Sequence, residues 1–193
     1  MADPAVDAGA DLAAAVTALR TGGVVAYPTE GVWGVGCDPR DAAAVDRVIA
    51  LKHRDWRKGL ILIAADFDAL RSYVQPTASD VLARALGTWP GPVTWVFPAG
   101  PGCPERVRGA HPTIAVRVTA HPLAAALCRA FGGALVSTSA NQAGAPAALN
   151  AQDVRRQLGD GVDVVVPGAL GGLAGPTAIR DVLTGAWLRR PAA

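Results

Sequence analysis

Five apolar residues follow one another without interruption at Leu60-Ile61-Leu62-Ile63-Ala64. A strand with no polar face has no side to offer water, so this run reads as a central strand of a sheet covered on both faces. Covering both faces requires helices, and the flanking sequence offers them. Over residues 10–20, Leu12, Ala13, Val16 and Leu19 recur at helical spacing until Thr21-Gly22-Gly23 stops the helix. Asp41 is placed to cap a helix over 42–51 that buries Val45, Val48 and Ile49. Asp66 caps a further helix to about Tyr73, and Thr77 or Ser79 begins one that runs through Leu86. Pro122 suits the first turn of a helix over 123–131, and Asn150 caps a last one ending at Leu158.

Strand candidates alternate with these helices. They are Val24-Val25-Ala26-Tyr27, residues 93–97 behind the stiff turn Trp89-Pro90-Gly91-Pro92, residues 114–118, Leu135-Val136, residues 162–166, and two short strands in the tail 177–189. Alternation of this kind defines an α/β layered class. Residues 99–112 are rich in glycine, proline and arginine and have no period, so they read as a mobile loop able to act as a lid. The 193 residues suit one domain, 1–193, whose core needs neither metal nor disulfide.

Composition narrows the function. Apolar residues make up 51% and charged residues 18%, the balance of a folded chain. A formal charge of +2 and a pI near 8.6 fall short of a dedicated nucleic-acid binder. Cys37, Cys103 and Cys128 form no C-x-x-C pair and are odd in number, which argues against a zinc cage or a disulfide framework and fits a reducing compartment. Met1-Ala2-Asp3-Pro4 lacks the basic region of a secretory leader, and no apolar stretch approaches membrane-spanning length. The expectation is a soluble cytoplasmic protein with no membrane partner.

The chemistry-bearing residues fall in three loops. Lys52-His53-Arg54-Asp55-Trp56-Arg57-Lys58-Gly59 joins a helix end to the central strand and concentrates positive potential, as a polyphosphate site requires; alone, it reads as a solvated surface loop. Arg117 is the one charge in an apolar strand and offers a fork for a carboxylate, or else a structural ion pair. Ser137-Thr138-Ser139-Ala140-Asn141 packs short hydrogen-bonding groups just past a strand, or else makes an ordinary turn. Gly31, Gly34 and Gly36 allow close backbone approach but match neither the dinucleotide nor the P-loop fingerprint. The serines lie outside a G-x-S-x-G elbow, and no cluster has metal-ligand spacing, so a catalytic Mg²⁺ would be held mainly by substrate phosphates. Together the loops read as a site for a nucleotide plus a small acid.

The combination Tyr27-Pro28-Thr29-Glu30, Lys52-x-Arg54, Trp89-Pro90-Gly91-Pro92-Val93-Thr94, Ala115-Val116-Arg117 and Ser137-Thr138-Ser139-Ala140-Asn141 resembles the YrdC-like threonylcarbamoyl-AMP synthases, and Lys58-Gly59-Leu60-Ile61-Leu62-Ile63-Ala64 is similar to their short bacterial TsaC type. The resemblance runs from about Ala10 to Arg189. It implies a twisted, largely mixed β-sheet flanked by helices, with a deep positively charged cavity. The implied reaction condenses L-threonine, bicarbonate or CO₂, and ATP to threonylcarbamoyl-AMP and pyrophosphate, a product passed to the tRNA threonylcarbamoyl-transfer machinery for modification of adenosine 37. Carried over by motif, Lys52, Arg54, Lys58, Thr113, Ser139, Asn141 and Arg189 would bind ATP. Arg117, Thr29, Ser137 and Thr177 would bind threonine. Lys52 and Arg54, with Mg²⁺ on the ATP phosphates, would stabilise charge at the α-phosphate and leaving group, so that catalysis is mostly positioning and neutralisation.

The sequence departs from the family pattern at Gly31, where many members carry threonine, and at Trp33, where many carry tyrosine. Gly59 replaces a common proline, and Pro176-Thr177-Ala178 replaces a Ser-Thr pair. Without the extra C-terminal domain of longer members, a lid is expected from residues 99–112 or the tail. The rival class is an RNA-binding or ribosome-maturation module using the same basic concavity without catalysis; weak tRNA binding is compatible with either. Trp56 alone flanks the basic loop with an aromatic ring, so no stacking platform is expected. A third reading is a carbamoyl-transfer domain of larger machinery.

Overall fold

The computed structural model describes residues 8–192, so Met1-Ala2-Asp3-Pro4, read above for a leader, lies outside the described residues. In order the chain forms α1 (Ala8–Arg20), β1 (Val25–Pro28), β2 (Trp33–Gly36), α2 (Ala42–Leu51), β3 (Ile61–Ala64), α3 (Ser79–Leu86), β4 (Val93–Pro98), α4 (Glu105–Arg108), β5 (Thr113–Val118), α5 (Pro122–Phe131), β6 (Leu135–Ser139), α6 (Ala151–Leu158), β7 (Val164–Val165), β8 (Ala178–Asp181) and β9 (Trp187–Arg189). Short 3-10 turns lie at Trp56–Lys58, Asp68–Tyr73 and Gly159–Gly161.

Among the described residues the strands join one sheet in the order β7-β1-β2-β6-β3-β5-β4-β8-β9. The pairs β1/β7, β3/β5 and β4/β8 are parallel and the others antiparallel, so the sheet is mixed. The apolar run lies in its middle: β3 pairs with β5 on one side and β6 on the other. Leu62 and Ala64 enter one core cluster and Ile63 the other, each 0% exposed, as a strand with two covered faces requires. On one face α1 and α5 bring Ala15, Leu19, Leu127 and Phe131 against Val25, Tyr27 and Leu135. The opposite face is covered by Val45 and Val48 of α2, Val107 of α4, and Val154 and Leu158 of α6. Each such fully buried side chain contributes about 1.5–3 kcal/mol.

The helix termini follow the caps read from the sequence. Asp41 accepts from the Ala44 amide at 3.0 Å, and Asn150 from the Asp153 amide at 2.8 Å. Pro122 opens α5, and Gly132, at φ 90°, closes it in the left-handed conformation that lacks a steric cost only for glycine. The segment after Asp66 is a 3-10 turn rather than an α-helix, with Asp66 accepting from the Ala69 amide at 3.0 Å.

Three further readings are corrected. β2 was not foreseen as a strand, because Gly34 and Gly36 erase the β-signal; a β-carbon on Gly36 would overlap the Val136 carbonyl oxygen, so close strand packing demands the glycine. Residues 99–112 form a packed segment instead of a mobile loop. The Gly100 amide donates to the Tyr73 carbonyl at 2.8 Å and the Gly102 amide to the Ser72 carbonyl at 3.1 Å, and α4 buries Val107 completely. Finally, Ser137, Thr138 and Ser139 belong to β6 itself rather than to the turn after it. Among the described residues no helix is long and apolar enough to cross a membrane.

Candidate active site

A cavity of about 400 Å³ opens where the basic loop, β5, β6, the turn before β2 and the C-terminal strands converge. Arg54, Lys58, Arg108, Arg117 and Arg189 line it, and among the described residues its lining includes no Asp or Glu. Five cations facing one space without a carboxylate make a strongly anion-selective concavity.

Arg117 occupies one end. It comes from β5, is 4% exposed, and its Nη1 donates to the hydroxyls of Thr94 and Thr177, each at 3.1 Å. Its Nη2 pairs with Glu30 Oε2 at 3.3 Å. Glu30 Oε1 in turn accepts from the Thr119 hydroxyl at 2.7 Å and the Ala120 amide at 3.2 Å. Burial pushes the Glu30 carboxyl up, but Arg117, Thr119 and the backbone amides outweigh it and hold the group below the usual carboxylate range. Arg117 is therefore both a structural ion-pair member and a cavity residue. Among the described residues its Nε and the Trp33 Nε1 are buried without a hydrogen-bond partner, and both residues line the cavity. An unpaired buried donor is costly in a folded protein.

The other end is built from the basic loop. Asp55 caps the short turn Trp56–Lys58, and Gly59, at φ 64°, allows the chain to bend back into β3. Arg54 donates through Nε and Nη2 to the Gly59 carbonyl at 3.2 and 2.9 Å, which fixes its guanidinium at the cavity wall. Burial lowers its pKa. Arg108 and His111 reach the same wall from the packed segment 99–112, where Arg108 Nη1 donates to the His111 carbonyl at 2.7 Å. Arg189 forks onto the Thr177 carbonyl at 2.9 and 2.6 Å and so ties β9 to the Arg117 end. Burial, and then the nearby Arg117, lower its pKa.

Of the residues singled out from the sequence, Thr29, Arg54, Lys58, Thr113, Arg117, Ser137, Ser139, Thr177 and Arg189 come together in this cavity. Lys52 and Asn141 do not line it. Lys52 is 3% exposed, and its ammonium donates to the carbonyls of Ser139 and Asn141, the latter at 2.7 Å. The Lys52 carbonyl receives the Ala143 amide at 2.8 Å, so the two segments are stitched in both directions. Burial, and then Arg54, push the ammonium down to about 8, which leaves it charged at neutral pH. Asn141 spends its amide nitrogen on the Gln142 and Ala145 carbonyls at 2.9 and 2.7 Å. Both residues therefore brace the wall that carries Ser139 rather than facing the cavity.

Sequence reasoning missed Glu30 and Thr94 as partners of Arg117, and Trp33, Arg108 and His111 as lining, whereas Thr138 lines the cavity with the hydroxyl group it was read in. The register Trp95↔Val116 sets Thr94 opposite Arg117 on the neighbouring strand, a pairing that only the folded sheet gives. Arg108 and His111 carried no signal in the sequence.

A cation-lined cavity on a mixed α/β sheet defines a protein with a site for anionic ligands. Residues 17–190 match the family model Sua5_yciO_yrdC, described as telomere recombination, and the chain belongs to that family. It is 57% identical over 176 residues to a threonylcarbamoyl-AMP synthase of Halorhodospira halophila, covering 91% of this chain and 92% of the relative. A protein of the same name from Nitrosococcus oceani is 56% identical over 171 residues, with 89% and 92% covered. Among solved structures, P. abyssi Sua5 complexed with L-threonine superposes with a TM-score of 0.84 at 28% identity over 91% of this chain. The chain spans 51% of that longer protein.

Proposed function

We propose that this chain condenses L-threonine, bicarbonate or the CO₂ derived from it, and ATP into threonylcarbamoyl-AMP and pyrophosphate, the intermediate for N6-threonylcarbamoyl modification of tRNA. The observation that carries the reading is the carboxylate-free cavity with Arg117 at one end and Arg54, Lys58 and Arg108 at the other, in a chain whose relatives of that name align along nine-tenths of both lengths.

The threonine carboxylate binds at the Arg117 end of the cavity, where Glu30, Thr94 and Thr177 hold the guanidinium in place. The neutral amine attacks the carbon of CO₂ and releases a proton, or that of bicarbonate with loss of water, and either route gives the carbamate. A carbamate oxygen then attacks the α-phosphorus, and pyrophosphate leaves toward the basic end. Arg54 and Lys58 offset the charge that develops there, while Ser139, Thr113 and Arg189 position the nucleotide. Lys52 and Asn141 act through the Ser139 wall they brace. Mg²⁺ would enter as part of the nucleotide, on its phosphates. The product leaves for the tRNA-modifying machinery, in the reducing cytoplasm that suits the free, buried Cys37, Cys103 and Cys128.

Purified protein given labelled threonine, bicarbonate, ATP and Mg²⁺ forms the adenylate and pyrophosphate under this reading; no product together with no ATP binding overturns it. One observation favours the RNA-binding alternative: the guanidinium groups of Arg57 and Arg106 lie 5.6 and 5.1 Å from the Trp56 ring, a basic and aromatic cluster. Tight tRNA binding with a steep salt dependence, and no turnover, selects that alternative.

A further inference from the structure

The Arg117 end of the cavity is walled by a segment whose seating the proposed reaction does not explain. Residues 169–177 cross the outside of the turn that carries Thr29, Glu30 and Gly31. The Gly171 amide donates to the Thr29 carbonyl at 3.0 Å, and the Leu173 amide to the Glu30 carbonyl at 3.0 Å. The Ala169 carbonyl meets His121 Nε2 at 2.9 Å, and the Thr177 hydroxyl accepts from Arg117 at 3.1 Å. The segment is thus fixed at both ends and in the middle.

Its closeness depends on missing side chains. A β-carbon on Gly31 would overlap the Gly175 carbonyl oxygen and lie 2.9 Å from the Leu173 β-carbon. One on Gly171 would lie 3.0 Å from the Glu30 α-carbon. With these glycines the segment lies directly on the turn, and Pro176 and Thr177 enter the cavity lining beside Thr29, Val32 and Arg117. Proline makes this wall stiff, because its ring fixes φ. In this chain, whose Pro176-Thr177-Ala178 replaces the family's Ser-Thr pair, a side chain at position 31 would push the segment off the turn and so widen the space that Pro176 and Thr177 line.

We infer that Gly31 is a specificity-determining residue: by letting residues 169–177 seat on the turn at Thr29 and Glu30, it limits the site to α-amino acids with side chains about as small as that of threonine. The inference rests on the proposed function and adds the element that reads substrate size. A wall of this kind discriminates through the few kcal/mol that one methylene is worth, so its loss changes a ratio rather than abolishing turnover.

The test compares threonine with 3-hydroxynorvaline, which adds one methylene to the same α-amino and β-hydroxyl pattern. Pyrophosphate release by the full chain is measured with ATP, Mg²⁺ and bicarbonate. In Gly31→Ala the ratio of kcat/KM for threonine over 3-hydroxynorvaline falls about tenfold, and the KM for ATP is unchanged. Pro176→Ala, which shortens the wall without lifting it, shifts the ratio in the same direction. An unchanged ratio in a folded Gly31→Ala overturns the inference. If Gly31→Ala loses its cooperative thermal transition, Pro176→Ala decides alone, and an unchanged ratio there overturns it. A wild-type chain that releases no pyrophosphate with threonine removes the proposed reaction itself, whereas an active wild type with unmoved variants removes only the role of Gly31.

Discussion

Arg117 and Glu30 form an ion pair at 3.3 Å with side chains 5% and 7% exposed, at the point where the small acid is proposed to bind. A pair this dry is tolerated because every oxygen of Glu30 has a donor, and because Thr94 and Thr177 share the load on Arg117. Glu30→Gln leaves a buried guanidinium without its counter-charge. It is expected to cost about 3 kcal/mol, measured as a lowered urea midpoint at pH 7. The Glu30 carboxyl titrates below its unfolded value of 4.5, so its stabilising contribution is full above that pH and is lost as pH falls through the lower folded value. Urea midpoints of the wild type should therefore drop toward those of Glu30→Gln as acid is added below about pH 4.5. Parallel acid profiles for the two proteins would contradict the assignment.

Arg117→Lys keeps one positive charge but loses the planar fork. Threonine KM is expected to rise about 100-fold, with ATP affinity changed by less than about threefold, within the spread of additive independent sites. Isothermal titration with each ligand separates the two. Equal loss of both points to a general unfolding instead of a lost contact.

The position of the central strand was legible because a five-residue apolar run allows one environment, and the caps at Asp41 and Asn150 were legible because each contact is local. The long-range partners were not. Arg117 announced itself as a charge in an apolar strand, but nothing in the order of residues chose between an ion pair and a ligand site, and the structure gives it the ion pair and a place in the cavity lining. For Lys52 the charge is visible in the sequence, whereas the carbonyls of Ser139 and Asn141 that hold its ammonium are set by tertiary folding. β2 stayed hidden because its strand propensity was given up to Gly34 and Gly36, and Arg108 because the segment carrying it has no period.

Lys52→Met keeps a long stem and removes the ammonium. The carbonyls of Ser139 and Asn141 then lose a charged donor, which is expected to cost about 1–3 kcal/mol in urea unfolding. ATP affinity should fall with it as the Ser139 wall loosens. A bracing role is told from direct phosphate contact by salt. Loss of a phosphate-contacting cation reduces the salt dependence of ATP binding, whereas a loosened wall leaves that slope as in the wild type.

Arg108 offers the opposite case. It is half-buried on the cavity wall, and one of its nitrogens is spent on the His111 carbonyl, with the guanidinium charge still facing the cavity. A charge at such a rim acts on encounter and screening more than on the bound geometry. Arg108→Ala is therefore expected to raise the KM for ATP about threefold to tenfold, leave the KM for threonine unmoved, and flatten the salt dependence of ATP binding. Removing the side chain exposes no buried carboxylate, since the cavity lining holds none among the described residues, so the urea midpoint should stay within about 0.5 kcal/mol of wild type. Pyrophosphate release at two ionic strengths checks both halves. A threonine KM that rises with the ATP KM would place Arg108 at the Arg117 end and dismantle the two-ended reading of the cavity.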